Sequence, residues 1–160
     1  MTKLISLDTS TSKTGYAIYL DGEYQESGII DCSENKVIRT RINEMIAQLY
    51  ELIERENPQI IVMETTVVTR NIEAQRNLTF ILGAIMGKCV EKKIAYDSLR
   101  PTEWRNKVKN KDEKLPRKRD ELKIWGRDKV FELYGKDIES DDISDAILIG
   151  RAYCNLAINL

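Results

Sequence analysis

The chain has 160 residues, 42% hydrophobic and 32% charged, with a formal net charge of −1; this composition suits a folded domain that needs no covalent staples and argues against disorder. It holds no histidine and three well-separated cysteines, Cys32, Cys89 and Cys154, which excludes imidazole-based triads and histidine-ligated zinc and fits neither a disulfide framework nor a zinc knuckle. No apolar run approaches the roughly 18 residues of a membrane span, and the opening Met-Thr-Lys-Leu-Ile-Ser-Leu-Asp reads as a strand and not a signal peptide, so the expectation is one domain, 1–160, in a reducing cytoplasm.

Lys3 to Asp8 is apolar and β-rich. Thr14 to Leu20 is a second strand, closed by Asp21-Gly22, a hairpin signal that makes Glu23 to Cys32 the return strand. Ile38, Ile42, Met45, Ile46, Leu49, Leu52 and Ile53 recur at helical spacing until Asn57-Pro58. Gln59 to Glu64 contains Ile-Ile-Val-Met, the continuous apolar run of a buried strand. Asn71 to Lys92 predicts a long helix whose interior Gly83 and Gly87 each cost about 1 kcal/mol against alanine, so close packing at that face is expected. Ile94 to Asp97 is a fifth strand, and Thr102 to Val108 a short helix after Arg100-Pro101. Helices from about Arg119 to Tyr134 and from about Ser140 onward complete the chain. This order predicts an α/β fold: one five-stranded mixed sheet, three strands antiparallel and two parallel, flanked by helices.

The net charge hides an asymmetry. From Arg100 to Lys129 there are twelve Lys and Arg against six Asp and Glu, which leaves the rest of the chain acidic. A solvated helical face explains most charge runs. Here Arg105, Lys107, Lys109, Lys111, Lys114, Arg117, Lys118 and Arg119 crowd a stretch broken by Pro116, the footprint of a phosphate-binding surface. Trp104 and Trp125 lie in the same segment and are read first as core residues, second as platforms for base stacking.

Four carboxylates stand where elements end. Asp8 closes the first strand, Glu64 closes the buried fourth strand, and Asp142 and Asp145 lie three apart at the start of the last helix, on one face. Asp141 shares that region, and spacing alone does not choose between it and Asp142. Turn formation accounts for an Asp after a strand, and capping or the helix dipole for acidic residues at a helix start. A glutamate ending four apolar residues has no such ordinary explanation. Carboxylates brought together repel unless a cation sits between them, and hard oxygen donors suit Mg2+ or Mn2+. Two such ions activate water for phosphodiester hydrolysis without any histidine.

The block from Leu4 to Ala17, with Asp8 at its centre and Thr14-Gly15-Tyr16 entering the second strand, resembles the opening of the RuvC family of Holliday-junction resolvases. Ile61-Val62-Met63-Glu64 is similar to that family's second motif, and Asp142-Ile143-Ser144-Asp145-Ala146 to its last. The resemblance implies an RNase H-like fold, a homodimer, and metal-dependent cleavage of branched DNA that leaves 5′-phosphate and 3′-hydroxyl ends. It implies Asp8, Glu64, Asp142 and Asp145 as catalytic ligands of two Mg2+ or Mn2+ ions, with no nucleotide cofactor and no membrane partner. Arg70 and the basic residues from Arg105 to Arg119 would hold DNA, and the glycine-bearing helix would supply the dimer contact. The sequence departs from the family at Thr9-Ser10, where Pro-Gly is usual, and at Val67-Val68-Thr69-Arg70, which lacks an aromatic residue. These departures and the long basic stretch resemble the phage-encoded branch and point to recognition by shape over base sequence.

Other readings share parts of this pattern. The first motif resembles the phosphate loop of sugar kinases and actin-like ATPases, but the second glycine-rich loop of those proteins is missing. An RNase H-like nuclease acting on RNA would use a similar acidic set, and a branched-DNA-binding module would keep the basic surface without cutting.

Overall fold

The computed structural model describes residues 1–65 and 70–158, with no account of the Ile158 side chain. Strands β1 (Lys3–Asp8), β2 (Lys13–Leu20) and β3 (Glu23–Asp31) form an antiparallel meander. The meander turns on Asp21 and Gly22, both at positive φ, as the Asp-Gly signal requires. Helix α1 (Ile38–Glu56) returns the chain to β4 (Ile60–Glu64), and α2 (Ile72–Lys92) to β5 (Ala95–Leu99). Both strands are parallel to β1, in the spatial order β3-β2-β1-β4-β5. Helices α3 (Pro101–Val108), α4 (Arg119–Tyr134) and α5 (Asp141–Ile158) follow.

The expected mixed sheet is therefore present. The fifth strand differs in its bounds. The local pattern gives Ile94 to Asp97, whereas pairing with β4, from Ile60 opposite Ala95 to Glu64 opposite Leu99, carries it two residues further. Ile94 instead packs into the core, and its amide bonds the Cys89 carbonyl at the end of α2.

Alternation along the strands builds two cores. Ile5, Leu7, Ile18 and Ile61 face α1 and α2, where Met45, Leu49, Ile53, Ile81 and Ile85 are fully buried or nearly so. Leu4, Ala17, Tyr19 and Val62 face the other way, against Trp104, Val130 and Ala146 to Ile149. Ser6 shares this second face, and by the two-residue period so do Asp8 and Glu64. Cys32, Cys89 and Cys154 are buried thiols with no disulfide. Among the described residues no helix is long and apolar enough to cross a membrane.

Gly83 and Gly87 depart from expectation. A Cβ at either would meet nothing within 4 Å among the described residues, so no described element packs closely on them. They lie on an exposed stripe of α2 with Phe80, Met86 and Val90.

Candidate active site

β1 and β4 are in parallel register with Leu7 opposite Met63, so the next step sets Asp8 beside Glu64 at the carboxyl end of the sheet. Open α/β sheets place their chemistry at this end. The third contributor, α5, is held over the sheet by specific contacts. The buried Ser6 hydroxyl donates to the Ala146 carbonyl at 2.6 Å, and the Tyr19 hydroxyl to that of Ile147 at 2.5 Å. Two glycines permit the approach. A Cβ on Gly15 would collide with the Asp142 carbonyl, and one on Gly150 with the Tyr19 ring and Ser6 Oγ. The N-terminus of α5 is capped by Ser140, whose Oγ accepts from the Ile143 amide at 3.3 Å.

This docking brings Asp142 and Asp145 to Asp8 and Glu64. All four line one cavity of about 570 Å3, together with Thr9, Ser10, Arg105, Arg119, Lys123 and Asp141. The electrostatics record the crowding. Burial and the charges of Glu64, Asp145 and Asp142 push the Asp8 carboxyl well above its ordinary range, with Arg105 opposing. Burial and then Glu64 push Asp145 up to about 7. Asp142 is raised by burial and by Asp141, and Glu64 by burial, against the Trp104 hydrogen bond and Arg105. None of the four forms an ion pair with a described residue.

The set is oxygen-only, partly buried and without an ion-pair partner among the described residues, which is the chemistry a divalent cation satisfies. Among the described residues no three of these groups are close enough to form a finished metal cage. The indole N–H of the fully buried Trp104 donates to Glu64 Oε2 at 2.6 Å. That bond fixes one carboxylate oxygen and leaves the other for the cavity. On α4, Gly126 faces Asp145, and a Cβ there would lie 3.2 Å from Asp145 Oδ1.

The structure separates the two neighbouring aspartates. Asp141 is held by α4, with Arg127 on Oδ1 and Lys123 3.3 Å from Oδ2. Asp142 has no such partner and contributes to the field at Asp8. Residues three and four apart share a helix face, so only the position of α4 makes this distinction.

The basic segment divides. Arg105 and Arg119 line the carboxylate cavity, and the Arg105 guanidinium lies over the Trp104 ring at 4.7 Å. Lys107, Lys111, Lys114, Arg117 and Lys118 are exposed outside it, as is Arg70. Lys109 is half-buried and donates to the Glu113 carbonyl at 3.1 Å. Several others are engaged across elements of the chain: Lys123 and Arg127 on Asp141, and the buried Lys129 between Glu113 and Glu132 at 2.8 Å each. Trp125 is buried and donates to Glu113 at 2.7 Å, so both tryptophans are core residues. The segment Val67-Val68-Thr69 lies outside the described residues.

Comparison with known proteins agrees with this architecture. A crossover junction endodeoxyribonuclease RuvC of Chlorobaculum parvum is 25% identical over 158 residues, covering 96% of this chain and 81% of that one. A RuvC of Prosthecochloris aestuarii is 29% identical over 104 residues, 62% of this chain and 56% of that one. The chain is RuvC-like. No protein-family model matches it. Among solved structures, RuvC of Thermus thermophilus bound to a Holliday junction substrate superposes with a TM-score of 0.77 at 14% identity, covering 99% of this chain and 96% of that one. The fowlpox virus resolvase, solved with Holliday junction DNA, gives 0.67 at 15%, covering 98% and 99%. The yeast mitochondrial Holliday junction resolvase gives 0.61 at 16%, covering 96% and 78%. These likenesses establish the fold, the RNase H-like fold of RuvC, over nearly the whole chain.

The sequence did not single out Trp104 as the partner of Glu64, nor Lys123 and Arg127 as partners of Asp141. Both arrangements join residues on different elements and leave no periodic signal. Gly15 was legible only as part of a motif.

Proposed function

We propose that this chain is a single-domain, divalent-metal-dependent endodeoxyribonuclease that nicks branched DNA, Holliday junctions among its substrates. The observation that carries the reading is the meeting of Asp8, Glu64, Asp142 and Asp145 in one cavity beside Arg105 and Arg119. Asp8, Glu64, Asp142 and Asp145 would hold Mg2+ or Mn2+, two ions in this reading. Bound there, the ions would activate a water for attack on the scissile phosphorus and offset charge on the departing 3′ oxygen, a reaction that would leave 5′-phosphate and 3′-hydroxyl ends.

The chain's own groups do the rest. Trp104 fixes the orientation of Glu64. Lys123 and Arg127 keep Asp141 turned toward α4. Arg105 and Arg119 face the phosphodiester, and the exposed lysines and arginines from Lys107 to Lys118, with Arg70, hold flanking phosphates. Such contacts position a duplex without reading bases, which suits recognition of branch shape.

Symmetric cutting of a four-way junction needs two sites related by a two-fold axis. The stripe of Phe80, Gly83, Met86, Gly87 and Val90 on α2, apolar and open to solvent, supports a homodimer built on that helix. The Thr9-Ser10 departure and the long basic stretch support a phage-encoded protein working in a bacterial cytoplasm.

The test is cleavage of labelled four-way junctions, forks and linear duplex with Mg2+ or Mn2+, beside Glu64→Gln and Asp145→Asn. Symmetric junction nicking is expected, with losses of about 10^3-fold or more in each variant and junction binding retained. Junction binding without any cutting overturns the enzymatic reading, and preference for RNA over branched DNA overturns the substrate.

A further inference from the structure

A second cavity, of about 360 Å3, opens beside the first. Ser10, Ala74 and Leu78 line both, so the two form one continuous groove along the turn after β1 and the first half of α2. Its outer wall carries Thr11, Asn77 and, from α1, Arg41.

Arg41 is the unusual member. It is half-buried, yet no described carboxylate pairs with it. Its guanidinium donates to two neutral oxygens, the Asn35 carbonyl and Thr11 Oγ1, each at 3.3 Å. Its buried Nε has no hydrogen-bond partner among the described residues. A cation withdrawn from water on such weak terms costs free energy that an anion would recover. Thr11 completes the chemistry. Its oxygen already accepts from Arg41, so its own proton is free to donate into the cavity. The half-buried Asn77 amide adds donors beside it. The one carboxylate on the wall, Glu73, is exposed to solvent.

We propose that Arg41, with Thr11 and Asn77, forms a second phosphate site, which takes the DNA backbone phosphodiester next to the one presented to Asp8, Glu64 and Asp145. The inference rests on the nuclease reading, since the groove then carries a single strand from the Arg41 site across the carboxylates. It assigns to α1, on the far side of the sheet from α3 to α5, a part in aligning the strand that is cut. The exposed basic stretch then holds the flanking duplex, and Arg41 sets the register of the scissile phosphate.

The experiment compares wild type, Arg41→Gln and Arg41→Lys for junction binding across a salt series, with nicking measured alongside. Arg41→Gln is expected to weaken binding about tenfold near 0.1 M salt and to reduce the log–log salt slope by about 0.7–0.9, the value of one phosphate contact. Arg41→Lys keeps the slope. A single neutral methylphosphonate placed beside the cut site should reproduce the loss in wild type and add nothing in Arg41→Gln, as a shared contact requires. An unchanged affinity and slope in Arg41→Gln, with wild type still nicking junctions, overturns the site and leaves the nuclease reading intact. Equal losses in both variants accompanied by a lower melting temperature overturn it as well, since Arg41 would then serve the fold. A wild-type protein indifferent to branched DNA overturns the nuclease reading and the second site together.

Discussion

The two faces of the sheet are built by different means. The face under α1 and α2 is an aliphatic core of Ile5, Leu7, Met45, Leu49, Ile53, Ile81 and Ile85, and the polar links of its helix pair lie at the rim: the Tyr50 hydroxyl donates to the Ala84 carbonyl at 3.0 Å, and Lys88 and Lys92 pair with the exposed Glu54. The face under α3 to α5 buries polar groups among its apolar ones: Ser6, Tyr19, Ser144, Trp104 and Lys129. Aliphatic burial is strong and non-directional, so it secures the fold without dictating an angle. Hydrogen bonds and glycine contacts are directional, and they fix α5 and Glu64 where the carboxylates must meet. Stability and site geometry are thus carried largely by opposite sides of one sheet.

That contrast can be broken by mutation. The largest effect on the fold is expected from Leu49→Ala, which removes a fully buried side chain on the first face and costs about 3–4 kcal/mol in denaturant unfolding. Nicking by the folded fraction should match wild type, and a selective loss of nicking would show that this face also shapes the site. Gly15→Ala acts on the other face. It should cost about 2–3 kcal/mol by forcing the Asp142 backbone away, and the variant, checked by circular dichroism as folded, should nick far more slowly than Leu49→Ala. A wild-type rate would mean that the position of α5 is not critical.

A third effect depends on pH. Asp145 holds its proton up to about 7 in the folded chain, well above the ordinary value of 3.8. Between those values the folded protein binds more protons than the unfolded one, so stability is greatest on the acid side and is lost as pH rises through about 7. In EDTA at pH 8, Asp145→Asn should therefore be more stable than wild type by about 2 kcal/mol, roughly 4–8 °C in melting temperature, with the gap closing near pH 4. Identical melting curves for the two proteins across this range would remove the carboxylate cluster as a source of strain.

The smallest effect on the fold is expected from Trp104→Phe, which keeps one aromatic ring of this fully buried side chain and loses the donor to Glu64. Unfolding should cost about 1–2 kcal/mol, from the lost bond and the smaller ring, while Mn2+ affinity measured by calorimetry falls about tenfold, the usual consequence of losing a ligand's supporting hydrogen bond. Unaltered Mn2+ affinity would reduce Trp104 to a packing residue.

The sequence by itself determined the order of elements and the ends at which chemistry-bearing residues stand. Strand alternation and helical spacing are local backbone properties, so periodicity places Asp8 and Glu64 at strand ends, and Asp145 on one helix face with either Asp141 or Asp142. Only the tertiary structure decided who meets whom. Trp104 reaches Glu64 across 40 residues, Ser6 holds α5 across 140, and α4 diverts Asp141 while leaving Asp142 free. The same packing left Gly83 and Gly87 open, withdrew Lys123, Arg127 and Lys129 from the basic surface, and set Arg41 at the end of the groove. These outcomes depend on how separate elements dock in three dimensions, a property that no spacing along the chain encodes.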